Sequence, residues 1–186
     1  MGNLQEGRCD INVLLADLEG GDIRSIGESE RVVQKVIDEP GFFPLLVEGF
    51  FVDDPIIRSR ATDAAVKILK IHRQLLLPFQ SRVLYDLPII DQKETKWHYC
   101  MMLDFLEFNE PELKRVFKQL TEFLREDDKF LKVFVMQALV DIVLKYSIYQ
   151  AETIDIVNQL TVHGTASQQA RGRKLLKTLR KAGLIE

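Results

Sequence analysis

Cysteine, histidine and tryptophan are scarce here: two, three and one in 186 residues. Cys9 and Cys100 are too few for a disulfide framework and have no Cys-x-x-Cys partner for zinc. They read as reduced thiols, small and apolar enough to be buried. His72, His98 and His163 lack the spacing of a metal site. A long apolar run is missing too. The best stretch, 42–52, is broken by Pro44, Glu48 and Gly49, well short of the roughly 20 residues that span a bilayer. The opening Met1-Gly2-Asn3-Leu4-Gln5-Glu6 has neither the basic nor the apolar part of a secretory signal, and Glu6 stands where a myristoylation motif needs Ser or Thr. No Gly-rich phosphate loop or Gly-x-Ser-x-Gly elbow occurs. Nor does one sign of charge dominate: 25 basic against 28 acidic residues leave a net −3, which does not favour nucleic acid as a partner of the whole molecule. The expectation is a cytoplasmic chain with no metal, no cofactor and no membrane contact.

What is present is helical periodicity. Strand alternation is nearly absent, and no Asn-Gly or Asp-Gly hairpin turn occurs. Punctuation separates ten expected helices. The first covers 11–18 and ends at Gly20-Gly21. Ser25 and Glu28 form a capping box before the next, which stops ahead of Pro40-Gly41. Helix 43–51 follows. Asp54 then caps a helix with Pro55 in its first position, where the missing N–H costs nothing. The remaining helices are expected at 78–85, 93–107, 109–125 behind Asn109, 128–145 behind Asp128, 150–163 ending on Gly164, and from Ser167 to about Gly183. No connection is long enough for a linker, so 1–186 reads as a single domain.

The helices repeat. Asp53-Asp54-Pro55-Ile56-Ile57-Arg58 aligns without gaps to Asp127-Asp128-Lys129-Phe130-Leu131-Lys132, and the match continues through Ala64-Ala65 and Ala138-Leu139. A third copy runs from Asp91 through Lys96, and a fainter one from Ser167 through Arg171. A period of about 35–40 residues holding two helices signals an α-solenoid.

Four segments carry a family likeness: 54–65, beginning Asp54-Pro55-Ile56-Ile57-Arg58; Lys96-Trp97-His98; Met136-Gln137-Ala138-Leu139; and Ala170-Arg171-Gly172-Arg173-Lys174-Leu175-Leu176. These units resemble HEAT repeats, the helical-pair members of the armadillo-type superhelix, and their order is similar to that in small bacterial HEAT-repeat proteins. The resemblance implies an all-α, right-handed α-α superhelix of about five pairs. It implies function only loosely, because such folds serve as scaffolds, nucleic-acid binders and occasionally enzymes.

Two sets of residues are candidates for contact with a partner. Solenoids of this kind bind along the face lined by the second helix of each pair. With 57, 61, 64, 65 and 68 assigned to the core, the other face carries Ser59, Thr62, Asp63 and Val66, then Trp97, Met101 and Asp104, then Val133, Gln137 and Val140. Trp97, Met101, Asp63, Gln137 and Asp104 are therefore the candidate partner-binding residues, with Trp97 as anchor. The second set is a basic series at matched positions, Arg58, Lys96, Lys132 and Arg171, joined by Arg60, His98 and Arg173. It reads either as charge pairing with Asp53, Asp91 and Asp127 at the inter-repeat turns or as a groove for an acidic peptide or phosphate backbone. The leading expectation is a non-enzymatic scaffold for a protein or peptide. The alternatives are a nucleic-acid binder, in the manner of a helical-repeat DNA glycosylase with Trp97 beside Asp104, or a HEAT-type lyase or chaperone subunit.

Overall fold

The computed structural model describes residues 14–19 and 29–186. Cys9 and the Ser25–Glu28 box lie outside these. Every regular element among the described residues is helical. The chain divides into two compact units, Met1–Leu106 and Glu107–Glu186.

Unit 1 contains α1 (Ser29–Asp38), α2 (Phe43–Glu48), α3 (Pro55–Leu69), α4 (Gln80–Tyr85) and α5 (Lys93–Met102), linked partly by 3-10 turns. Asp54 starts α3 as its sequence dictates: the carboxylate accepts from the backbone N–H groups of Ile56 (2.7 Å) and Ile57 (3.2 Å), with Pro55 in the first turn. The helix packs against α1 on one flank and α5 on the other. It is therefore buried nearly all round, and Ser59, Arg60, Thr62 and Val66 lie inside with the expected stripe. The small residues do what small residues permit. A Cβ on Gly49 would lie 2.9 Å from the Cβ of Ala61 and 2.8 Å from Leu15 Cδ2, so glycine and alanine together let the end of α2 reach α3.

Unit 2 contains α6 (Glu110–Phe123), α7 (Lys129–Lys145), α8 (Gln150–His163) and α9 (Ala166–Lys181). Asn109 and Glu112 close a reciprocal capping box at α6, each bond 2.9 Å. Asp128 repeats at α7 what Asp54 does at α3, accepting from Phe130 (2.8 Å) and Leu131 (3.1 Å). α9 packs on both α7 and α8 around a core of Met136, Val140, Val143, Val157, Leu175 and Leu179. Tyr149, just before α8, has φ 62° and stacks on Phe117 with ring centroids 4.0 Å apart.

Several boundaries differ from the sequence reading, among them the end of α2, which stops at Glu48 rather than 51. α9 starts after Thr165, not at Ser167, because Gln168 Oε1 accepts the Thr165 N–H (2.9 Å) and completes the Thr-x-x-Gln pattern two residues earlier. α5 ends at Met102, and its last turn tightens into the 3-10 segment Leu103–Phe105. Pro78 does not lead α4; it sits inside the 3-10 segment Arg73–Phe79, and α4 begins at Gln80.

Candidate interaction surface

Of the expected contact residues, Asp63, Trp97, Met101 and Asp104 belong to unit 1 and Gln137 to unit 2. Along α5, Thr95, Lys96, Tyr99, Cys100 and Met102 are buried, whereas Trp97 and Met101, one turn apart, remain partly exposed. A spacing of four places both on one face of the helix. Asp104 is exposed but lies beyond α5 in the 3-10 turn, so it does not share a helix with Trp97 as the sequence suggested; its backbone carbonyl accepts from Arg73 (3.3 Å). Ser59, Thr62 and Val66 were expected on the open face with Asp63 and are buried instead, because α3 has a neighbour on each flank.

Asp63 joins a polar chain that crosses the helices of unit 1. Lys67 pairs with Asp63 one turn earlier (3.0 Å) and with Glu30 of α1. His98 of α5 faces the same carboxylate at 3.8 Å. Its other nitrogen, Nδ1, lies 2.7 Å from the Thr62 hydroxyl oxygen, a hydrogen bond whose direction follows the tautomer. The Thr62 hydroxyl also lies within hydrogen-bond distance of the backbone carbonyls of Arg58 (2.9 Å) and Ser59 (3.0 Å). Burial pushes the imidazole below its usual range; Asp63 and Glu94 oppose that shift, and Lys67 adds to it. His98 is thus held neutral and spent on joining α5 to α3.

The basic series is largely occupied from within. Arg58 Nε donates to Gln92 Oε1 (2.7 Å), and Gln92 returns a bond to the Pro55 carbonyl (2.8 Å). Arg60, only 4% exposed, donates to the carbonyls of Leu18 (2.8 Å) and Glu19 (3.1 Å). Lys96 pairs with Asp91 at 2.9 Å, which holds that carboxyl below the usual carboxylate range. In unit 2, Arg171 donates to Gln137 Oε1 (2.9 Å), while the Gln137 amide donates to Asp141 (2.8 Å). Arg173 is exposed. Sequence reasoning did not find the glutamines. Gln92 and Gln168 each donate to the carbonyl of the first residue of a repeat helix, Pro55 of α3 and Lys129 of α7. The signal available was that both sit at the start of a later copy of the repeat.

No cluster of three or more His, Cys, Asp or Glu among the described residues is placed to hold a metal. No described helix is long and apolar enough to cross a membrane.

Comparison with known proteins narrows the fold but not the activity. No family model matches the chain. A fumosorinone synthetase from Cordyceps fumosorosea (strain ARSEF 2679) is 28% identical over 135 residues, which are 70% of this chain and 3% of that protein. The chain thus corresponds to a small segment of that much longer relative. The crystal structure of an engineered protein superposes with a TM-score of 0.58 at 15% identity, over 94% of this chain and 85% of the other. A likeness at that identity carries the fold alone, and the fold is all-helical.

Proposed function

We propose that this chain is a HEAT-like repeat module that binds another protein or peptide and catalyses no reaction, with Trp97 and Met101 as its anchors. The observation that carries the reading is the exposure pattern of α5, where an aromatic ring and a flexible thioether one turn apart lie partly exposed while Thr95, Lys96, Tyr99, Cys100 and Met102 are buried. Tryptophan is among the residues most enriched in interface hot spots, and methionine adapts its shape to varied apolar partners.

The repeat reading rests on the reach of the polar contacts. Within unit 1, Arg58 meets Gln92 and Lys67 meets Glu30, at separations of 34 and 37 residues. Within unit 2, Arg171 meets Gln137 and Gln168 meets Lys129, at 34 and 39. These separations are close to the 35–40-residue period of the sequence. They link α1 to α3, α3 to the residue that opens α5, and α7 to α9, which supports the repeat reading.

The occupied basic series argues against a continuous phosphate-tracking stripe, and the separation of Asp104 from α5 removes the shared helix on which a glycosylase-like arrangement would depend. The test is affinity capture with the purified chain as bait, in parallel with a folded Trp97→Ala variant. Proteins retained by the former and lost by the latter support the reading. An identical set of proteins on both would contradict it.

A further inference from the structure

In unit 2 a groove of about 360 Å³ opens where the start of α7 meets the end of α8 and the start of α9. Lys129 and Lys132 line it from α7, and His163 and Leu160 from α8, with Asp127 as its one acidic residue. The site is held in shape from beneath. Gln168, 3% exposed, accepts the Thr165 N–H at 2.9 Å and donates to the Lys129 carbonyl at 3.0 Å, so both ends of its amide are fixed. Gly164 packs so closely that a Cβ there would lie 2.9 Å from the Gln168 Cβ.

The charges in this groove are not used by the fold. The side chains of Lys129, Lys132 and His163 have no hydrogen-bond or ion-pair partner among the described residues. That sets Lys132 apart in its series: Arg58, Lys96 and Arg171 at the matched positions are held by Gln92, Asp91 and Gln137. Lys132 is nevertheless only partly exposed. Its stem packs while its ammonium is left to meet a bound anion without first breaking an internal pair. Two ammonium groups against one carboxylate leave the groove with net charge +1 before His163 is counted, on a chain whose net charge is −3. A concave wall focuses that local field.

We infer that this groove binds an oxyanion carried on a peptide side chain, a carboxylate or a phosphorylated hydroxyl in an acidic segment of a partner. The volume is on the scale of pockets that enclose small groups, about 300–1,000 Å³. Leu160 offers an apolar wall for the stem of the side chain. Asp127 in the lining and the acidic whole chain oppose a long polyanion such as nucleic acid. The site lies in the other unit from Trp97, so it stands or falls independently of the α5 surface.

Fluorescence anisotropy tests it with three labelled probes: an oligoglutamate peptide, its phosphoserine counterpart and an oligodeoxynucleotide of matched charge. The full chain is expected to bind at least one peptide saturably and more tightly than the oligonucleotide. The tighter of the two peptides identifies whether carboxylate or phosphate is the natural group. Lys132→Gln should weaken that binding about tenfold, as loss of one hydrogen bond to a charged group does, while Lys177→Gln, exposed elsewhere on α9, leaves it within about twofold. The backbone amide resonances of Gly164 and Thr165 should shift with the bound peptide. The inference is overturned if neither peptide saturates, if the oligonucleotide binds tightest, if both lysine variants lose affinity equally, or if those amides do not move.

Discussion

Asp54 and Asp128 hold matched positions in two copies of the repeat and each accepts two backbone N–H bonds in the first turn of its helix. Removing either carboxylate should therefore cost a similar amount. Asp54→Ala and Asp128→Ala are each expected to lower stability by about 1 kcal/mol, read as a lower urea midpoint at unchanged slope. Both caps were legible because a cap is local: an acidic residue followed by a proline or an apolar run is sufficient. His98 was legible only as a member of the basic series outside any metal spacing. Its bond to Thr62 joins residues 36 apart and depends on how α3 and α5 pack. The consequence is a pH dependence. The folded-state pKa lies below the ordinary value of 6.5, so between those two values the unfolded chain binds more protons than the folded one. Stability should be level in this respect above the unfolded pKa and should fall as pH drops through the window toward the folded pKa. His98→Gln should remove that limb from a plot of urea midpoint against pH.

At the scale of elements, the turns carried the information. Proline, glycine and the capping residues placed the helices from α1 to α9 in the right order, and the boundary differences are about one turn or less at most ends. What periodicity could not give was the second buried face of α3. A helix with neighbours on both flanks hides residues that a single-stripe reading assigns to solvent, which is why Ser59, Thr62 and Val66 were placed on an open face and why Arg60 was grouped with surface cations. Close approach between helices depends on small residues. Ala61 opposite Gly49 is one such contact, and Gly172 of α9 is another. A Cβ at Gly172 would run into the Thr161 hydroxyl and lie 3.0 Å from Thr161 Cβ and 3.2 Å from Met136 Cε. Gly172→Ala should destabilise unit 2 by about 1–3 kcal/mol, the range for overpacking a filled core. Thermal unfolding followed by circular dichroism reads it out, and an unchanged midpoint would mean that α8 and α9 separate more easily than their packing suggests.

At the scale of the molecule, the repeat period was the strongest signal in the sequence, and several polar contacts within each unit join residues 34 to 39 apart. The division into two units was not legible, because the segment around Leu106 carries no change of composition that marks it. Residues that match between copies mostly hold neighbours together: Arg58 and Arg171 through glutamines, Lys96 through Asp91. Accessible instead are Trp97 and Met101 on α5, where the copies differ, and Lys132, a matched position whose side chain has no partner among the described residues. The central claim is that the α5 surface anchors a protein partner. Its most direct test is the dissociation constant of the purified chain and a captured partner, measured beside Trp97→Ala with the helical content of both confirmed. Loss of a buried tryptophan anchor should weaken binding by at least 2 kcal/mol, about thirtyfold. An affinity that does not change while the fold stays intact would contradict the account.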